Sequence, residues 1–382
     1  MKIIHIINSL KKGGAEGNLF RLCKTLKKKY KNKIDITIIT LIDNGFYEEY
    51  LGKLGIKVYS IKINEKKNFF KFVTYILKLR KFITNNNPDV IQSWMYHSNF
   101  ITLFLPKIFY EKIFWNIRHT QLNLKISKKF TIFLSLICGF FSKLIPKKII
   151  YCSEASISFH ENFHKYSKNK SVLIDNGYSF KNYYYSLFLR NKFRKKYKIN
   201  KKHFLIGFAG RYSKQKNIPS LIKAFSNIIK KYDDVYLYMV GKNINYSNKE
   251  LAELVLNLKI TDRVFFLKEK KNLLKFYNGL DMLILPSHDE SFPNVVAEAM
   301  LCKIPVLSSD VGCAKKIINS CGFIMRKNDP NSIYKNIIKC LNIYRNKKKF
   351  WTSLKKNSRL RIVNNYSLNK MAINYLKKWT LG

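Results

Sequence analysis

Short apolar runs alternate along this chain with longer stretches whose apolar residues recur every three or four positions. In the first half the runs predict strands at Lys2 to Ile7, Ile34 to Leu41, Ile56 to Ile61, Asp89 to Gln92, Phe114 to Ile117 and Ile149 to Ser153. In the second half they predict strands at Phe204 to Ala209, Val235 to Val240, Val264 to Leu267, Met282 to Leu285 and Ile304 to Leu307. Near-continuous apolar strands are those of parallel sheets covered on both faces. Helical spacing predicts helices at Ala15 to Tyr30, Phe69 to Phe82, Ile218 to Lys231, Lys249 to Leu258, Val295 to Leu301, Pro330 to Tyr344 and Leu368 to Trp379. Asn85-Asn86-Asn87-Pro88 closes the second of these, as Asn and Pro do after a last turn. Strand and helix in alternation predict βαβ units. The alternation lapses from Tyr178 to Lys202, a Tyr-, Lys- and Asn-rich stretch that reads as a linker. The expected organisation is therefore α/β, with one Rossmann-like domain over 1–180 and a second over 203–364.

A length of 382 residues, 47% of them hydrophobic, suffices for two cores. The charge is lopsided: 72 Lys and Arg against 23 Asp and Glu give a net +49. Such a balance points to a polyanion or an anionic membrane. The lysines are spread along the chain, however, and no zinc-finger, RNP or basic-zipper pattern accompanies them. The charge reads as partly compositional drift and partly attraction to phosphate and anionic lipid, where each nearby Lys or Arg contributes about 1 kcal/mol. Seven cysteines form no C-x-x-C pair, which fits packed, reduced thiols better than a disulfide framework or a zinc site. MKIIHIINSL does not read as a signal peptide. Phe130 to Ser142, the longest uncharged apolar run, is too short to span a bilayer as a helix and reads as a buried helix, with a membrane-dipping face as the alternative. These features lead to the expectation of a cytoplasmic protein, peripheral on the inner face of the cytoplasmic membrane.

The densest chemistry lies between Asp281 and Gly312. A strand, a loop, a helix beginning at Pro293-Asn294 and a second strand form one βαβ unit, whose ligand site lies at the strand's carboxyl end. Glu290 falls in the loop and Glu298 inside the helix, so the two acids reach different depths of one crevice. Helix-start amides near Asn294 suit an anion. Two glutamates eight apart carry little information alone, but here they are embedded in E-S-F-P-N-V-V-A-E-A-M. This segment resembles the signature of the retaining glycosyltransferases of family 4. The resemblance implies that Glu290 holds hydroxyls of a donor sugar and Glu298 the ribose of its nucleotide. It also implies the GT-B architecture, two Rossmann-like domains facing across a cleft.

Other segments carry the same resemblance. Gly13 and Gly14, in K-G-G-A-E after the first strand, let the backbone approach a phosphate, and they resemble the family loop that faces the donor diphosphate. Gly210-Arg211 and Lys216 follow the strand at 204–209. A forked guanidinium and a compact ammonium there form a plausible diphosphate clamp, similar to the family's G-R-x-x-x-x-K with Asn217 in place of its usual glycine. His97, Arg118 and His119 stand at the ends of two strands, an arrangement expected of a site. P-D-V-I-Q-S-W-M-Y-H and W-N-I-R-H-T resemble the subgroup that builds bacterial O-antigen and related surface polysaccharides. That subgroup implies His119 beside the donor sugar, and His97 with Arg118 on the acceptor side. The terminal helix, within 365–382, resembles the one that packs back on the first domain. Lys268 and Ser291 each replace a common glycine, and Lys316 stands where the family has an acid, so no role passes to it.

The expected function is transfer of a sugar, with retention, from a nucleotide diphosphate sugar to a lipid-linked glycan. Glu290 and Glu298 would position the donor. Arg211, Lys216 and the Asn294 helix start would neutralise the departing diphosphate. No D-x-D occurs, so the expectation is no cofactor and no metal, with the nucleotide sugar as co-substrate. Two rivals remain: a basic nucleic-acid-binding protein, and a nucleotide-sugar 2-epimerase of the same architecture. Nucleic acid is not the expected partner, because the cations are not interleaved with aromatics on one face.

Overall fold

The computed structural model describes residues 1–31, 33–42, 45–63, 69–122 and 128–381. Residue 382, the end of the predicted terminal helix, lies outside them. The chain divides into two compact units, one of residues 1–177 with 368–382 and the other of residues 178–367.

The first unit is a seven-stranded, wholly parallel sheet. Its strands are β1 (Lys2–Ile7), β2 (Asp35–Thr40), β3 (Lys57–Ser60), β4 (Val90–Trp94), β5 (Ile113–Ile117), β6 (Lys148–Tyr151) and β7 (Ser171–Leu173). Their spatial order is β3-β2-β1-β4-β5-β6-β7. Successive side chains of a strand point to opposite faces, so Ile4 and Ile6 enter one core with Leu79, Ile83 and Trp115. Ile3 and Ile7 enter the other, with Leu19, Leu22, Tyr375 and Trp379. Burying each such side chain stabilises the unit by about 1.5–3 kcal/mol. The terminal helix Leu368–Leu381 is part of this unit, and the Trp379 indole donates to Gln92 Oε1 at 3.0 Å.

The second unit is a six-stranded parallel sheet of β8 (Phe204–Ala209), β9 (Val235–Val240), β10 (Val264–Phe266), β11 (Met282–Leu285), β12 (Val306–Ser309) and β13 (Phe323–Met325), in the order β10-β9-β8-β11-β12-β13. Its core joins Phe204, Ile206 and Phe208 of β8 to Leu221, Ile222 and Phe225 of helix Ile218–Ile229. The stretch read as a linker is not one. It belongs to the second unit and contains helix Leu187–Lys196. Arg190 and Arg194 on that helix bind Asp281 at 2.6 and 2.5 Å, just before β11.

Three further differences have local causes. The strand expected at Ile304 begins at Val306, because Ile304 closes the preceding turn by donating to the Ala299 carbonyl. Helix Lys348–Asn365 escapes a periodicity search because its surface is heavily charged, although Trp351, Leu354, Ser358 and Ile362 recur on its buried side. The apolar run at 130–142 forms helix Lys129–Phe141, but only one of its faces is buried. The seven cysteines are all buried, and among the described residues none forms a disulfide. No helix among the described residues is long and apolar enough to cross a membrane.

Candidate active site

In an open parallel sheet, a ligand crevice forms where neighbouring strands send their following segments to opposite sides. The second unit has this switch between β8 and β11, and the candidate donor-site residues gather beside it. Gly210-Arg211 follows β8, and the loop 286–293 follows β11. Lys216 Nζ is hydrogen-bonded to Glu290 Oε1, and Ser287 Oγ donates to the same oxygen at 2.9 Å. Both ion-pair partners are largely buried. The loop is fastened from outside: Ser309 Oγ donates to the Ser287 carbonyl at 2.7 Å, and Asn328 Nδ2 donates to that carbonyl at 2.9 Å. Gln215 and His288 join the two sides through a backbone hydrogen bond of 2.8 Å.

Backbone conformation explains two choices in this region. Asn217 has φ 53°, a left-handed geometry that Asn tolerates where most residues are strained, and its Nδ2 donates to the Asn328 carbonyl at 2.6 Å. Gly312 has φ +51° and lies under the Glu290 loop; a Cβ there would stand 1.8 Å from the Glu290 carbonyl oxygen. Lys268 also takes a positive φ of 58°.

Helix Asn294–Leu301 starts at Pro293 without a side-chain cap. Tyr178 OH donates to Asn294 Oδ1 at 2.6 Å. One and a half turns on, Glu298 Oε2 accepts from Tyr277 OH at 2.9 Å. Tyr277 is fully buried. Burial, with the Glu298 carboxylate beside it, holds its phenol well above the usual range, so it stays a donor. Arg211 is exposed and, among the described residues, no hydrogen bond or ion pair engages it. The arrangement offers two positioned carboxylates, one paired cation, one solvent-facing cation and an uncapped helix start.

The first unit has its own switch, between β1 and β4. Gly13 and Gly14 follow β1, and Gly13 precedes helix Gly14–Lys29 with extended backbone. Burial raises the carboxyl of Glu16 in that helix's first turn. His97 lies two residues past Met95, whose φ of 70° is strained for an unbranched side chain. Burial, then the Lys128 charge, lowers the His97 imidazole, so it is neutral at pH 7. His119 is exposed, its ring 5.8 Å from that of Tyr96, while its carbonyl accepts from Ser156 Oγ. Arg118 is turned inward. It donates to Asn116 Oδ1 at 2.6 Å, to Asn176 Oδ1 at 2.7 Å and to Tyr375 OH, and it stands 5.6 Å from the Trp94 ring.

Residues 190–361 match the family described as glycosyl transferases group 1, and residues 13–103 match glycosyl transferase 4-like. Over 99% of this chain and 98% of the other, the structure superposes on Anabaena Alr3699/HepE in complex with UDP and glucose with a TM-score of 0.82 at 19% identity. The chain has the GT-B fold. A glycosyltransferase from Rickettsia africae shares this GT-B fold, with a TM-score of 0.81 at 20% identity over 99% of this chain and 98% of that one. In sequence, the chain is 30% identical over 213 residues to the capsular polysaccharide biosynthesis glycosyltransferase CapM of Staphylococcus aureus. That alignment takes in 52% of this GT-B chain and spans about half of CapM, 55% of its length.

Sequence reasoning missed Tyr277, Ser287, Ser309 and Asn328. Tyr277, Ser309 and Asn328 act through hydrogen bonds to residues distant in sequence, and none of the four has a motif of its own. Only Ser287, three residues before Glu290, was within reach of a local argument.

Proposed function

We propose that this GT-B chain transfers a sugar from a nucleotide diphosphate sugar to the hydroxyl of a lipid-linked glycan, with retention at the anomeric carbon, in the assembly of a surface polysaccharide. The observation that carries the reading is the Glu290–Lys216 pair at the β8/β11 switch, with the Tyr277–Glu298 pair a turn and a half along the following helix. A carboxylate fixed by two donors keeps its second oxygen oriented for a sugar hydroxyl, and Glu298 is similarly fixed for the ribose. Breaking the anomeric bond places negative charge on the diphosphate. Arg211, Lys216 and the amides at the start of helix Asn294–Leu301 are the donors assigned to that charge. They supply the neutralisation without a metal or other cofactor.

From the first unit, His119 is assigned to the donor sugar, Gly13 and Gly14 to the diphosphate, and His97 to the acceptor. Arg118 is better assigned to holding Asn116, Asn176 and Tyr375 in place than to touching acceptor. The similarity to CapM, a capsular polysaccharide biosynthesis glycosyltransferase, supports the polysaccharide role, and the UDP and glucose bound by HepE support uridine nucleotide sugars as the first donors to try.

The test is a panel of nucleotide sugars followed by transfer. A true donor at a hundred times its Kd raises stability by about 2.7 kcal/mol, read as a thermal shift. That donor, incubated with lipid-linked glycan, should yield an elongated glycan whose new linkage keeps the donor's anomeric configuration by NMR. A protein that isomerises the sugar without acceptor, or binds nucleic acid tightly and no nucleotide sugar, would refute the proposal.

A further inference from the structure

Helix Lys129–Phe141 presents apolar side chains on two faces. Leu134, Ser135, Cys138 and Gly139 are buried, and the helix lies so close to the end of helix Glu154–Phe163 that a Cβ on Gly139 would fall 1.7 Å from the His164 carbonyl oxygen. On the outward face, Phe130, Phe133, Leu136 and Phe140 follow one another at helical spacing, and Leu144 continues the row past the helix end. Phe140 and Leu144 are 74% and 69% exposed. A row of large apolar groups turned to solvent on one helix marks an interaction surface. The ends of the row are basic: Lys128 and Lys129 at one, Lys143 at the other, all exposed. From Lys112 to Ser153 the chain has no acidic residue.

We infer that this face is a docking surface for an anionic lipid bilayer, with the aromatic row in the acyl–headgroup boundary and the lysines against lipid phosphates. The inference deepens the proposed function by naming the membrane surface on which a lipid-linked acceptor would be met, and it rests on that reading only for this purpose. The helix is too short to span a bilayer, so it lies in the interface plane. Charge decides between lipid and a second copy of the chain. A self-complementary dimer through this face would bring the same lysines together with no acid nearby, whereas anionic lipid neutralises them.

The experiment is co-sedimentation with vesicles of equal parts phosphatidylglycerol and phosphatidylcholine, and with phosphatidylcholine alone. The full chain should bind the anionic vesicles. Combined Phe133→Ser, Leu136→Ser and Phe140→Ser should weaken that binding by at least about tenfold. Combined Lys129→Glu and Lys143→Glu should abolish the preference for phosphatidylglycerol. Leu256→Ser, an equally exposed apolar residue of the second unit, should bind like the parent. Retained far-ultraviolet ellipticity and melting temperature show that the variants are folded. Undiminished vesicle binding by the folded triple variant overturns the inference, as does a parent dimer that the triple variant converts to monomer without a change in vesicle binding. A parent that binds vesicles but no nucleotide sugar refutes the enzymatic reading and leaves this surface standing.

Discussion

Glu290 and Lys216 lie 74 residues apart in sequence, yet share a hydrogen bond in a largely buried setting. Under the proposed function, a diphosphate held by Lys216 would compete with Glu290 for the ammonium group. Glu290→Gln removes the competing charge while keeping the shape. It should tighten binding of the bare nucleoside diphosphate by about 3–10-fold, measured calorimetrically, because a charge-assisted hydrogen bond of about 1.5–3 kcal/mol no longer holds Lys216 away. The same change should cut sugar transfer by about 100-fold, roughly 2.7 kcal/mol of barrier, through loss of sugar positioning. Unaltered diphosphate affinity together with full transfer would remove Glu290 from the site. Gly312 tests the loop from below. Gly312→Ala should destabilise the second unit by about 1–3 kcal/mol on backbone geometry alone, with further loss from the Glu290 carbonyl 1.8 Å from the new Cβ. Gly52→Ala, where nothing lies within 4 Å, should be tolerated in the same melting assay. The placement of Glu290 in a loop and Glu298 in the following helix was legible in sequence because their segment is local. The hydroxyls of Tyr277 and Ser309 were not, because packing alone brings them to their partners. Arg118 was legible as the end of a strand, but its inward turn depends on Tyr375, 257 residues away.

Parallel strands announce themselves as apolar runs, so six of the seven strands of the first unit and five of the six in the second were legible. The exceptions, β7 and β13, have three residues each, too few to show a pattern. Helix Leu187–Lys196 was hidden for another reason. Its anchors are charges, and apolar periodicity cannot register Arg190 and Arg194 converging on Asp281. Asp281 also accepts from the Leu205 amide at 2.8 Å, tying the helix to the strand pair β8 and β11. Arg194 and Asp281 are each only 7% exposed in their side chains, so removing one partner leaves a buried charge without compensation. Asp281→Ala should therefore cost about 3–5 kcal/mol of second-unit stability. Urea denaturation followed by hydrogen exchange should show early loss of protection in Phe204–Ala209 and in helix Leu187–Lys196. A cost within about 1 kcal/mol, the range of exposed ion pairs, would mean that the cluster contributes no more than a surface contact.

Charge and histidine distribution make the two units respond differently to acid. The net +49 comes from Lys and Arg, which keep their charge between pH 7.5 and 5.5, so self-repulsion from these groups is nearly constant over that window. Histidine is the side chain whose ordinary pKa falls inside that window, and five of the seven lie in the first unit. Burial lowers His5 and His160 from 6.5 to about 3, and His97 and His164 are lowered by burial as well. His160 Nδ1 donates to the Ser156 carbonyl at 2.7 Å, which leaves Nε2 to accept from Tyr96 OH at 2.8 Å, a pattern that requires the neutral ring. A folded pKa below the unfolded value means that the unfolded chain binds protons first. The stabilisation is complete above 6.5 and is lost as pH falls from there toward 3. At pH 5.5, His5 and His160 should each cost roughly 1 kcal/mol relative to pH 7.5. The second unit has only the exposed His288 and the lowered His203 at a polar edge. The first unit should thus melt several degrees lower at pH 5.5, with the second nearly unmoved, when followed by hydrogen exchange of β1 and β8. His160→Gln should remove roughly half of the shift attributable to the two deeply buried rings. Equal shifts in both units, or a first unit unaffected between pH 7.5 and 5.5, would show that these rings are solvated in a way their burial forbids.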